Sequence, residues 1–260
     1  MEVVASNVTL DADHPIVRLQ RNALIAGVAG LVLTAVGFFL SPDQFFRSYL
    51  LGFMYWFGIA LGSMAILMIH HIAGGAWGAV IRRVLESSIG TIPLLAVLFV
   101  PIALGTHHLY EWAHADVVAK DPVLQAKSAY LNVPFFLVRA VFYFVVWSLV
   151  ASLLRRWSLE QDRDGDPKVT LRMELMSRGG LVLYGLTVTF AVIDWVMSLQ
   201  PHWYSTIYGL LVMAGQGLAA FAFAIPLGVM LSRRESVSRV FGAAQFHDLG
   251  NLMLAFTMIW

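Results

Sequence analysis

Six long apolar runs leave this chain few ways to fold. They cover residues 23–40, 49–69, 88–104, 132–154, 179–199 and 208–231, each 17 to 24 residues long. A helix rises about 1.5 Å per residue, so each run is long enough to cross the roughly 30 Å of bilayer hydrocarbon. A transmembrane β-barrel would instead show alternating segments of about ten residues. The runs are apolar on every face, which predicts helices. Composition agrees, with 59% hydrophobic and only 13% charged residues. The predicted fold is all-α: a polytopic integral membrane protein of antiparallel transmembrane helices, with six full spans and a seventh cut short. That seventh run begins near Leu249 and is still apolar at Trp260, and its twelve residues reach only about 18 Å. A lone helix end inside the membrane would leave carbonyls unpaired, so the expectation is a chain cut within this helix.

Residues 1–22 are expected to form a cytoplasmic N-terminal segment, and residues 23–260 the transmembrane domain. Met1–Asp13 carries Glu2, Asp11 and Asp13 and has no cleavage site after a short apolar core, so the first span is expected to stay as an anchor. Lys and Arg divide unevenly between the two sides. Arg18, Arg21, Arg82, Arg83, Arg155, Arg156, Arg163, Lys168, Arg172, Arg178, Arg233, Arg234 and Arg239 fall on one side, against Arg47, Lys120 and Lys127 on the other. The positive-inside rule then places the N-terminus in the cytoplasm and the loops 41–48, 105–131 and 200–207 outside. Trp56, Trp112 and Trp203 are expected near the interfaces. The charged stretch 160–168 reads as a solvated turn, without the spacing of a calcium loop. A net charge of +1 gives no basic footprint for nucleic acid. Zero cysteines exclude disulfides, thiolate zinc, covalent c-type haem and Cys-ligated clusters.

Only two formal charges fall within the runs, Arg139 and Asp194. Both are expected on the order of 8 Å below the outer boundary, on adjacent antiparallel helices. Intramembrane charges pair or line polar cavities, and they are functional candidates by default. Two readings stand side by side. One is a structural ion pair, or an arginine snorkelling to the surface. The other is a proton-handling or quinol-facing carboxylate at Asp194, tuned by Arg139.

None of the eight histidines lies at mid-span, so no facing axial pair is offered to an intrinsic haem. His70 and His71 close the second helix, where its dipole favours positive charge. His107, Glu111 and His114 would share one face of a continuous helix, with His108 beside them. That pattern suits a metal or, more simply, an amphipathic helix at the interface. The predicted metal set is none. Asp194, His202 and Tyr204 fall close together in sequence around Pro201 and could hydrogen-bond a quinone head group, while Trp203 and Tyr204 also suit interfacial anchoring.

Three stretches carry a family resemblance. They are His70-His71-Ile-Ala-Gly-Gly-Ala-Trp77-Gly-Ala-Val-Ile-Arg82-Arg83-Val-Leu-Glu86, then DWVMSLQPHWYSTIYG over residues 194–209, then Phe246-His247-Asp248-Leu-Gly-Asn251. Together they resemble the second quinone-binding-type membrane subunit of alternative complex III, the bacterial quinol:cytochrome c (or quinol:acceptor) oxidoreductase, within the NrfD/polysulfide-reductase-like family. The resemblance implies a ten-helix subunit in the bacterial cytoplasmic membrane, with two four-helix bundles and both ends in the cytoplasm. Its implied partners are an iron–sulfur subunit, c-type cytochrome subunits and a sister NrfD-like subunit. It implies quinol as cofactor, with no haem, cluster or metal in this chain. Asp194, Arg139 and Glu86 become proton-handling candidates, Asp194, His202 and Tyr204 quinone candidates, and His70, His71, Arg82 and Arg83 a group at the inner face. One departure matters. The sister subunit is expected to carry a histidine in its second helix near the outer face, where this chain reads Gly58-Ile-Ala-Leu-Gly62-Ser63. That removes an expected quinol ligand. The rival expectation is a transporter or assembly subunit without a redox role.

Overall fold

The computed structural model describes residues 15–232 and 242–260. Among these every regular element is helical, and six helical stretches are long and apolar enough to cross a membrane. The chain is an all-α, multi-pass membrane protein. His14, the acidic residues Glu2, Asp11 and Asp13, and Arg233, Arg234 and Arg239 of the charge count lie outside the described residues.

The order is α1 (Pro15–Leu40), α2 (Pro42–Ala73), then the third span in three pieces, α3 (Arg82–Ile89), α4 (Ile92–Leu98) and α5 (Val100–Leu104). Short helices α6 (Thr106–Leu109), α7 (Ala115–Val118) and α8 (Pro122–Lys127) follow. The long helices α9 (Val133–Asp164), α10 (Pro167–Trp195) and α11 (Tyr208–Ser232) come next, and α12 (Ala243–Ile259) closes the described chain. Every long helix extends past its apolar run, because polar residues continue a helix once it is nucleated. α1 begins at Pro15, inside the segment expected to precede the membrane; proline is well suited to a first turn, where its missing N–H has no partner to lose. Likewise α9 runs on to Asp164, so most of the stretch 160–168 is helix rather than a solvated loop. The turn itself is Gly165 and Asp166. Gly165 takes φ +62°, a left-handed conformation that ends the helix at no steric cost, and the Asp166 carboxylate caps α10 by accepting from the Lys168 N–H at 2.9 Å.

Two compact units are distinguished, Met1–Phe45 and Phe46–Trp260. In the first, α1 is apolar from Ala23 onward and has no buried residue. The second contains the packed bundle. Its helices pair antiparallel, as the order of contacts along them requires. Arg139 and Trp147 of α9 meet Asp194 and Thr187 of α10, and Phe57, Met68 and His71 of α2 meet Trp195, Gly180 and Ser177. Tyr184 of α10 meets Gln216 of α11, and Phe221 of α11 meets Phe256 of α12.

The third span breaks where proline removes helical donors. Pro93 and Pro101 each sit in the first turn of a new piece. Near the second break the Tyr49 hydroxyl donates to the Leu98 carbonyl at 2.7 Å. This break also delivers Phe99 to the core, 4.6 Å from the ring of Trp195. Around Trp195, itself fully buried, gather Phe53, Phe57, Tyr143, Phe144 and Trp147, with centroid separations of 5.2 to 6.2 Å. Lipid is as apolar as leucine, so helices in a membrane associate through packing rather than water exclusion. Interlocked rings supply that packing, at about 0.5–1.5 kcal/mol per well-placed pair.

Close approach of backbones does the rest. A Cβ at Gly62 would stand 2.0 Å from the Gln216 carbonyl oxygen, so α2 and α11 touch only because this residue lacks one. At Gly52, on the same helix, a Cβ would meet open space. Gly62→Ala is therefore expected to lose ~1–3 kcal/mol or more through overpacking, whereas Gly52→Ala gains up to ~1 kcal/mol of helix propensity. Thermal unfolding of both variants in detergent checks this, and equal stability would contradict the contact.

Candidate functional site

The two intramembrane charges meet. Asn132 caps α9 by accepting from the Phe135 N–H at 3.0 Å, and this start places Arg139 opposite the last turn of α10. The guanidinium grips Asp194 with two donors, Nε to Oδ2 at 2.8 Å and Nη2 to Oδ1 at 2.9 Å. Such a two-point fork fixes direction as well as distance. The Tyr143 hydroxyl donates to Oδ2 at 2.9 Å, and the third arginine nitrogen, Nη1, donates to the Tyr130 carbonyl at 3.0 Å. Tyr130 and Phe135 lay their rings on the cation, 3.9 and 4.3 Å from its centre. Asp194 has no exposed surface, and Arg139 is 8% exposed. The arginine does not snorkel.

Around the pair, the Ser198 hydroxyl donates to the Asp194 carbonyl at 2.5 Å, and the Tyr110 hydroxyl to the Trp195 carbonyl at 3.0 Å. Burial and then the Asp194 charge raise the phenols of both Tyr110 and Tyr130 well above their ordinary range. The Tyr130 hydroxyl is buried and makes no hydrogen bond.

A second buried carboxylate lies at the opposite end of the bundle. Glu86 on α3 accepts from Arg82 Nε at 2.8 Å, Arg83 Nη1 at 2.6 Å and the Ser158 hydroxyl at 2.6 Å. Arg82 Nη2 reaches on to Ser158 at 3.0 Å and the Gln161 side-chain oxygen at 2.8 Å, and Arg83 also pairs with Asp162. This network ties the third span to α9. Its oxygens are occupied by donors of this chain, so Glu86 serves as a structural brace. Nearby, His71 Nδ1 lies 3.0 Å from the Ser177 hydroxyl, and the His70 ring packs edge-on against Trp77 at 5.2 Å and close against Gly78. His70 Nδ1 and His71 Nε2 are buried without partners.

The three quinone candidates are not brought together. His202 Nε2 bonds Asp121 Oδ2 at 2.7 Å, and Tyr204 is 74% exposed. The Pro201 carbonyl accepts from Lys127 Nζ at 2.5 Å, and Asp194 stays fully buried apart from both. The helix that was to align His107, Glu111 and His114 ends at Leu109, and His114 Nε2 instead meets the His107 carbonyl at 2.7 Å. No group of three metal-binding side chains occurs among the described residues. His108 stacks on Phe46 at 4.8 Å. Trp112 is a core residue, stacked on Tyr110, rather than an interfacial anchor.

Sequence reading missed the polar residues that face Asp194 and follow it along α10. Tyr143, Ser177, Tyr184, Thr187, Ser198 and Gln216 are all buried. For those on α10 the signal was the spacing of residues 177, 184, 187 and 194, which repeat at three and seven and so share one face, with Ser198 just beyond the helix end. A groove of about 530 Å3 opens between the third span and α9, lined by apolar side chains including Pro93, Phe99, Ala140 and Phe144, with Ser148 its one hydroxyl. It is shaped for hydrocarbon.

No protein-family model matches the chain, and no curated protein matches it.

Desolvation pushes the Asp121 carboxyl up, but the Val123 and Leu124 amides and His202 together outweigh it and hold the group below its ordinary value of 3.8. The stability it contributes is present above pH 3.8 and is lost as pH falls through the lower folded value. Asp121→Asn, which keeps a capping oxygen but no charge, is expected to flatten that acid limb. Parallel pH titrations of thermal stability check this; superimposable limbs would contradict it.

Proposed function

We propose that the chain is a membrane subunit of a respiratory quinol:cytochrome c (or quinol:acceptor) oxidoreductase, of the NrfD/polysulfide-reductase-like kind, and that it handles protons rather than electrons. Three stretches of sequence suggest the complex. The Arg139–Asp194–Tyr143 cluster, a charged group enclosed at one end of an apolar bundle, is the observation that carries the role. Its implied home is the bacterial cytoplasmic membrane, with the N-terminus in the cytoplasm as the Lys and Arg distribution asks. Arg82, Arg83 and Arg172 cluster at one end of the bundle, and Asp121, Lys127 and His202 at the other, which supports two ends of unequal positive charge.

A quinone head group needs donors and acceptors converging on a space it can occupy. Here Asp194 has both oxygens engaged, His202 and Tyr204 stand elsewhere, and the adjoining groove offers hydrocarbon contact alone. The residues present do not make a quinone pocket. Quinol oxidation then belongs to the sister subunit, in keeping with the residues Gly58–Ser63 that stand where a histidine ligand was expected. Iron–sulfur and c-type cytochrome subunits would hold the redox centres. The transporter reading draws on the broken third span, since discontinuous helices line many transport sites.

Full-length protein drawn from native membranes in mild detergent is expected to bring c-type cytochromes and an iron–sulfur subunit, with haem bands in the reduced-minus-oxidised spectrum. A colourless protein arriving alone would overturn the complex. Within the complex, Asp194→Asn is expected to lower quinol-dependent turnover while the subunits still assemble. Undiminished turnover would reduce Asp194 to a structural role.

A further inference from the structure

The third span and α9 run side by side without closing the space between them. Residues 93, 96, 100 and 103 of the third span advance in steps of three and four, as do residues 137, 141, 144 and 148 of α9, so each set forms one stripe along its helix. Between the stripes lies the apolar groove. Its floor is Phe99, Ala140 and Phe144, all buried. Its lips are Val100, Val141 and Val145, all exposed. Alanine at 96, 103 and 140 keeps it open, because a longer side chain at any of these positions would occupy the space.

Its dimensions decide what it can hold. From Leu137 to Ser148 the groove follows α9 for about 16 Å, and from Ala103 to Pro93 it follows the third span for about 15 Å. That is half of the roughly 30 Å of bilayer hydrocarbon. One end lies where α5 finishes and α9 begins, at the end of the bundle that holds Asp194. The other end lies near mid-membrane. The groove therefore spans the depth of one leaflet. Its 530 Å3 spread over that length gives a mean cross-section of about 35 Å2, less than half the ~80 Å2 of a helix 10 Å across. A helix does not enter such a slot; it lies only across the mouth. A hydrocarbon chain, touching its neighbours at about 4–4.5 Å, is less than half as wide as a helix and fits.

We propose that this groove is a phospholipid site, holding one acyl chain from the leaflet on the Asp194 side. The exposed lips make it continuous with the surface that bilayer lipid already covers. Left empty, it would forfeit packing contacts along the rings of Phe99 and Phe144. An acyl chain enters with its head group left at the interface, so it asks the lining for no polar atom. That matches a groove whose one hydroxyl, Ser148, sits at the deep end. A quinone tail is also hydrocarbon, but its head group needs donors and acceptors at the mouth, where the lining is Ala103 and Leu137. Seated there, the lipid chain completes the packing of a span that Pro93 and Pro101 break into pieces. The inference needs only a chain that spans a membrane, so it stands or falls apart from the respiratory assignment.

The full chain, purified in its native assembly, is reconstituted in phosphatidylcholine vesicles containing a phosphatidylcholine with a photoactivatable diazirine midway along one acyl chain. After irradiation, labelled peptides are mapped by mass spectrometry. Labelling of residues 93–103 and 137–148 is expected to exceed several-fold that of the exposed face of α10 at Val182, Leu183 and Leu186. Ala96→Phe is expected to lower the groove labelling several-fold and leave α10 labelling as it was; Ala103→Phe serves if that variant fails to insert. Groove labelling no denser than that of α10 would overturn the site. So would labelling undiminished in both phenylalanine variants. Label displaced by added ubiquinone or menaquinone, but not by unlabelled phosphatidylcholine, would give the groove to an isoprenoid tail and overturn the phospholipid.

Discussion

A charge pair enclosed among aromatic rings sets the terms for this bundle. Moving a carboxylate or guanidinium out of water costs several kcal/mol each even after relaxation, and only a partner with good geometry offsets that. Asp194, with no exposed surface, therefore obliges α9 and α10 to keep the register that brings Arg139 to it in a two-point grip. A shift of one residue along either helix would turn one partner away into lipid. Tyr143, Tyr130 and Phe135 complete the enclosure, two of them with ring faces on the cation. At the far end, Glu86 imposes a similar condition on the third span and α9 through Arg82, Arg83 and Ser158. Between the two anchors the core is held by ring against ring around Trp195 and by backbone against backbone at Gly62.

That arrangement explains which parts were legible beforehand. Span number and helical class follow from run length against bilayer thickness, and they needed no tertiary information. Arg139 and Asp194 stood out because charge is scarce in an apolar run, and antiparallel neighbours at equal depth made a meeting plausible. Glu86 was visible as a candidate, but its saturation by Arg82, Arg83 and Ser158 was not, since Ser158 comes from another helix. Closeness in sequence misled around residue 200. Asp194, His202 and Tyr204 lie within eleven residues, yet the Pro201 turn sends His202 to Asp121 and Tyr204 outward. His107, Glu111 and His114 failed for a related reason: their shared face assumed one helix, and the chain leaves α-helix at Tyr110. Trp112 looked like an interface anchor because tryptophan often is; only the fold shows Tyr110 and Phe136 waiting for it.

The functional account rests on what such a core can and cannot do. Enclosed charges with filled hydrogen bonds do not make a pocket for a quinone head group, and the groove between the third span and α9 is apolar. A polar face buried along α10, with unsatisfied nitrogens at Gln216 and His71, is a different kind of feature. The proposed proton-handling role asks this chain for no redox centre of its own.

Arg139 and Asp194 act as one unit inside the bundle. A double-mutant cycle tests it most directly, using Arg139→Leu, Asp194→Leu and the pair together, with unfolding in detergent as the readout. The account predicts that each single change is strongly destabilising, because it leaves one buried charge alone, and that the double change costs much less than their sum. The expected coupling is at least ~1.5 kcal/mol, as measured for close charge pairs elsewhere. Additive effects, with coupling within error of zero, would contradict it.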